Sequence, residues 1–133
     1  MIKEPREKLT ESEKDLREFA LSYPETTEDF PWGHRTLKVK KKAFVFMSSE
    51  EGTTSLSVKL PKSSKAALKL RNAEPTHYGL GKHGWVSMIF DSGDELPMEQ
   101  LKKWIDESFR AVAPKTLVKK LDEGNPGTKK KAR

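Results

Sequence analysis

The chain contains no cysteine. Disulfides and thiolate metal sites are therefore excluded, and a reducing cytoplasm is the natural setting. No apolar run approaches the roughly 20 residues that a membrane-spanning helix needs. The opening MIKEPREKLT has charges with no apolar segment behind them, so it does not read as a signal peptide. No internal repeat is visible. There is no HExxH, and the three histidines, His34, His77 and His83, have no metal-ligand spacing. No G-x-S-x-G elbow marks a nucleophile. These absences leave a small cytoplasmic protein, expected as a monomer, with no cofactor, metal or membrane partner. An enzyme is the least favoured class.

What is present is charge. Of 133 residues, 35% are charged and 34% apolar, with a net charge of +6. That length supports one domain with one modest core. The charge is unevenly placed: residues 34–71 carry a net +8 and residues 1–33 a net −4. A positive sector attracts polyanions, although lysines also serve simply to solubilise a sheet surface.

Periodicity places the elements. Thr10 and Glu13 have capping-box spacing, and Leu16, Phe19, Ala20 and Tyr23 follow on one helical face, predicting a helix over 11–22 closed by Pro24. ETTEDFPWG (25–33) reads as a short extended piece. Alternation predicts strands at 36–39, 43–48 and 54–60, with Leu56, Val58 and Leu60 facing inward. Lys40-Lys41 is the turn between the first two; it lacks the Asn-Gly or Asp-Gly that a two-residue primed turn prefers, which leaves room for a longer or bulged loop. Pro61 opens a helix to about Arg71, with Ala66, Ala67 and Leu70 on its apolar side. Residues 74–84 read as loop and 85–90 as a central strand. Met98, Leu101, Trp104, Ile105, Ser108, Phe109 and Val112 form the stripe of a long helix ended by Pro114, and Lys115 to Leu121 reads as one further turn. Trp85 and Trp104 are core residues. Residues 122–133 lack an apolar anchor and read as a disordered basic tail dispensable for folding. Strands grouped between helices give an α+β domain over 1–121, with about five mostly antiparallel strands in two layers.

Three constellations invite a functional reading. GLGKHGWV (79–86) matches G-x-G-x-x-G-x-V, but a strand rather than a helix follows, so it reads as a loop whose glycines take positive φ. Glu25, Glu28 and Asp29 form an acidic cluster, a possible acid pair that more simply reads as solvated. Trp32, His34, Arg35, His77, Tyr78 and His83 lie in loops beside strands, where they either line a cleft that stacks a planar ligand or cap the core. The basic set, Lys38, Lys40, Lys41 and Lys42 joined by Arg35, Lys59, Lys62, Lys65 and Lys69, has the composition of a phosphate-contacting surface.

The segments YPETTEDFPWG (23–33), TLKVKKKAFVFM (36–47), SVKLP (57–61), PTHYGLGKHGWVSM (75–88) and KKWIDESFRAVAPKTLVKKL (102–121) together resemble the MmcQ/YjbR family. The resemblance implies a two-layer α+β fold. It also implies DNA binding through a double-wing motif, the wings being hairpins, with no catalytic residues to carry over. On that view KVKKKAF is one wing tip and Glu50-Glu51-Gly52, acidic here, the other. The alternative is a ligand-binding or protein-interaction module using the 75–85 loop and Trp32.

Overall fold

The computed structural model describes residues 11–29, 35–50, 53–76, 83–91 and 94–124. In chain order these form α1 (Glu11–Leu21), β1 (Thr26–Asp29), β2 (Arg35–Val39), β3 (Lys42–Glu50), β4 (Thr53–Lys59), α2 (Ser64–Ala67), β5 (Ala73–Pro75), β6 (Trp85–Phe90), α3 (Met98–Val112) and α4 (Lys115–Gly124). All six strands join one antiparallel sheet in the order β1-β2-β3-β4-β6-β5. This is the α+β class expected, with six strands instead of about five. The extended piece before Phe30 supplies β1. The added strand, β5, lies where a loop was expected. The capping-box residue Thr10 lies outside the described residues.

Alternation along each strand decides which face is covered. The register aligns Leu37 with Val45, Val45 with Val58 and Val58 with Val86, while Met47, Leu56 and Met88 form the adjacent row. All are buried, and α1 and α3 pack over this face. From α3 come Leu101, Trp104, Ile105 and Phe109, and from α1 Leu16 and Ala20. Trp85 is buried too, but one residue out of phase with Val86. It therefore sits on the opposite face, with its ring 5.2 Å from that of Phe46.

A buried polar contact closes each end of this core. Glu13, fully buried on α1, accepts a hydrogen bond from the Thr54 hydroxyl on β4. At the other end the β2–β3 register slips, from Leu37↔Val45 to Lys38↔Ala43, leaving Phe44 as a bulged extra residue. The Phe44 ring packs edge-on against Phe109. Its carbonyl accepts a hydrogen bond from Ser108 Oγ at 2.6 Å, and Ser108 Oγ in turn accepts from the Lys59 amide at 2.9 Å. One buried α3 hydroxyl thus bridges the strands where the β3–β4 ladder stops.

Two helices differ from expectation. The helix predicted from Pro61 to Arg71 is only Ser64–Ala67. Its bonds tighten to three-residue closures at Lys69 and Leu70, and of its predicted apolar side only Ala67 is buried, with Leu70 40% exposed. Glu107 on α3 holds its entry, accepting from the amides of Lys62 and Ser63 and from the Ser63 hydroxyl. Conversely, α4 runs to Gly124, so Asp122 belongs to a helix and not to a tail. Arg110 donates through Nη1 to Asp122 Oδ2 at 3.1 Å and through Nε to Asp106 Oδ2 at 2.8 Å. Hydrogen bonding to Asp122 first, with the charge of Asp106, raises the Arg110 pKa despite partial burial. Truncation before Asp122 would therefore cut into α4 and remove part of this network. Residues 125–133 lie outside the described residues.

Candidate nucleic-acid interface

The Lys40-Lys41 turn is the tightest available. Val39 and Lys42 are register partners, so only two residues connect β2 to β3. Both have positive φ, 51° for Lys40 and 72° for Lys41, as a type I′ turn requires. The bulge is a separate feature, displaced into the ladder. A lysine in the left-handed region costs roughly 1–2 kcal/mol relative to the right-handed one, a cost that Asn or Gly largely avoids.

The antiparallel register gathers further lysines at this end of the sheet. Because Val45 faces Val58, β4 arrives beside the hairpin at Lys59, and Lys62 follows three residues later. Lys59 is the partner of Trp85, where β6 begins. The preceding Gly84 has φ +91°, and a Cβ there would meet the Leu60 carbonyl and the Pro61 nitrogen at 3.3 Å. Its carbonyl accepts from the Leu60 amide at 2.7 Å, fixing the course of the chain into the Lys62 segment. Gly79 and Gly81 lie outside the described residues, and among those described Gly84 is the motif glycine that takes the expected positive φ. It leads into a strand, the wrong element for a dinucleotide cradle. Lys62, Lys65 and Lys69 are exposed along α2 and its exit.

Carboxylates on β1 meet this basic surface from the side. Lys38 Nζ is 3.1 Å from Asp29 Oδ2, and Lys40 Nζ is 3.9 Å from Glu25 Oε1. The Lys40 amide also donates to the Glu25 carbonyl. Lys41 and Lys42 are exposed, and no described carboxylate forms an ion pair with either.

Arg35 stands apart from the other predicted contacts. Its parity with Leu37 and Val39 puts it on the helix-covered face, 6% exposed. There Arg35 Nη1 donates to Glu28 Oε2 at 2.5 Å, while Arg17 of α1 grips both Glu28 oxygens, at 2.6 and 2.7 Å. Burial alone would push the Glu28 carboxyl up. The hydrogen bonds and charges of Arg17 and Arg35 outweigh it and hold the group below the usual carboxylate range. Of the acidic cluster expected to be solvated, Glu25 and Asp29 are largely exposed beside Lys40 and Lys38, whereas Glu28 is withdrawn from solvent between two arginines.

The two predicted wing tips do not converge. Lys42 opens β3 and Glu50 closes it eight residues later, so the two ends of that strand lie about 26 Å apart at ~3.3 Å per residue, while Glu51 and Gly52 of the second tip lie outside the described residues. Of the alternative cleft residues, Trp32, His34, His77 and Tyr78 lie outside the described residues, and His83 is exposed.

Fold and site define a single-sheet α+β domain with a basic hairpin at one end and an acidic strand along its edge. The chain belongs to the YjbR family, whose model matches residues 21–111. Among solved structures it is similar to Deinococcus radiodurans protein DR2400, which carries a DUF419 domain. The identity is 23%, the TM-score 0.64, and the match covers 74% of this chain and 76% of that one. That likeness supports the fold alone. No curated protein matches the chain. Among the described residues, no helix is long and apolar enough to cross a membrane.

Proposed function

We propose that this chain binds the phosphate backbone of nucleic acid through the β2–β3 hairpin tip, aided by Lys59, Lys62, Lys65 and Lys69. One observation carries the reading: two consecutive lysines hold the left-handed backbone conformation, which disfavours them, at an exposed tip. Strain of this kind persists where the side chain is needed. Charge is what lysine offers there and asparagine does not. Buried Arg35, committed to Glu28, is left out of the contact set.

The expected mode is sequence-independent. Lysine meets phosphate as a point charge, whereas base reading needs an element fitted into a groove. α3 spends its apolar stripe on the sheet, and α2 has only four residues.

Two measurements test the proposal. Lys41→Gln with Lys42→Gln should make the log–log salt dependence of DNA affinity shallower by about 1.8, at roughly 0.9 per phosphate contact. Between 50 and 200 mM salt, those two contacts account for roughly a tenfold loss. Separately, Lys40→Asn with Lys41→Gly should stabilise the fold by about 1 kcal/mol while weakening DNA binding. Absence of DNA binding at low salt, or binding indifferent to both double changes, overturns the proposal.

A further inference from the structure

We infer that β1 is a built-in competitor of phosphate, its carboxylates setting which anions the hairpin accepts. The inference rests on the proposed phosphate contact and deepens it. β1 pairs with β2 so that Thr27 faces Lys38 and Thr26 faces Val39. That register sets Asp29 against Lys38 and brings Glu25, just before the strand, to Lys40. Glu25 is itself held at φ 62°, and its carbonyl takes the Lys40 amide, so acid and base are joined through the backbone as well.

The consequence is a division among the four hairpin lysines. Among the described residues, no carboxylate pairs with Lys41 or Lys42, and both are exposed and open to any phosphate. Lys38 and Lys40 already have counter-charges, which a phosphate must displace. Each displacement gains little net charge neutralisation, because one anion replaces another. A single phosphate held by Lys41 and Lys42 has no means of freeing the other two lysines. A polyanion anchored there presents further phosphates at high local concentration, and these can compete with Asp29 and Glu25. The hairpin therefore discriminates in favour of continuous phosphate chains, at reduced affinity. Exposed ion pairs of this kind are weak, so they are displaceable under ordinary conditions.

The test is a salt titration of a fluorescein-labelled DNA duplex, read by anisotropy, on the full chain. Glu25→Gln with Asp29→Asn should bind about 2- to 30-fold more tightly than the parent at low salt, the range expected for relieving two exposed pairs. Its log–log slope should steepen by up to about 1.8, as two more lysines release counterions at roughly 0.9 each. Glu95→Gln with Glu99→Gln is the control. It removes the same charge from exposed residues near the start of α3, about 13 Å along the helix from Ser108 at 1.5 Å per residue. Equal gains from the two double variants would reduce the effect to net charge and overturn the inference. So would a parent protein whose binding depends on Lys41 and Lys42 but ignores the Glu25 and Asp29 changes; that outcome leaves the proposed function standing. Binding by neither parent nor variant overturns both. Asp29→Asn alone, with circular dichroism on every variant, separates a binding change from a folding defect.

Discussion

Trp104→Ala should lower the stability of this domain by about 3–5 kcal/mol, the range for truncating a large aromatic side chain in a core. Trp104 is buried midway along α3, between Leu101 and Ile105 on the helix and one turn before Ser108. Its loss opens a cavity where α3 meets the sheet. At this chain length the melting temperature should fall by roughly 10–20 °C. Urea melts followed by circular dichroism provide the direct measurement. A loss below about 1 kcal/mol would mean that the neighbouring side chains collapse into the space, contrary to the close packing expected of an interior.

The second large effect is expected at Glu28. Glu28→Gln leaves Arg17 and Arg35 facing one another without the carboxylate that both contact, and the Arg35 side chain is only 7% exposed. Breaking a buried pair from one side costs 3–5 kcal/mol; because Arg17 is partly exposed, about 3 kcal/mol is expected at neutral pH. The pH dependence gives an independent readout. Glu28 titrates lower in the folded protein than in the unfolded chain, where glutamate ionises near pH 4.3. Its stabilisation is therefore complete above about that pH and is lost as pH falls through the depressed folded value. The stability gap between parent and Glu28→Gln should be constant above pH 5 and narrow below about pH 4.3. A gap that stays constant through that acid range would remove Glu28 ionisation from the account.

How much of this was legible in the sequence varies with the physics involved. The α3 stripe was readable because a fifteen-residue helix repeats its pattern often enough to fix a face. β4 and β6 were readable from alternation and apolar runs. β5 was not: three residues, Ala73-Glu74-Pro75, carry too little pattern, and pairing with β6 alone makes them a strand. α2 was overread because Leu70 supplied an apolar spacing that the fold does not bury. α4 extends further than its apolar pattern indicates: Asp122 lies within the helix and pairs with Arg110 of the preceding one.

The candidate site was legible in composition but not in geometry. The lysines were visible, but their division into engaged and open pairs depends on β1, whose pattern is too short to set a register. Arg35 had a usable signal that went unused: it shares parity with Leu37 and Val39, which places it on the apolar face. The cluster it forms with Glu28 and Arg17 joins separate elements, and no local pattern encodes that. Residue preference left the turn type open, and the closure Val39↔Lys42 settles it as two residues with positive φ.

The strand order has a consequence for how this molecule meets copies of itself. An open sheet ends in two borders, and a border with free amides and carbonyls invites edge-to-edge association. Here one border is β1, only four residues long and closed by exposed Asp29, so a second copy would meet like charge at that end. The other is β5, three residues ending in Pro75, which has no amide to donate. Both borders are too short and too discouraging to seed a growing intermolecular ladder. On the proposed reading, the Asp29 that tempers Lys38 also keeps this border blunt, and replacing it to sharpen anion affinity would remove that guard.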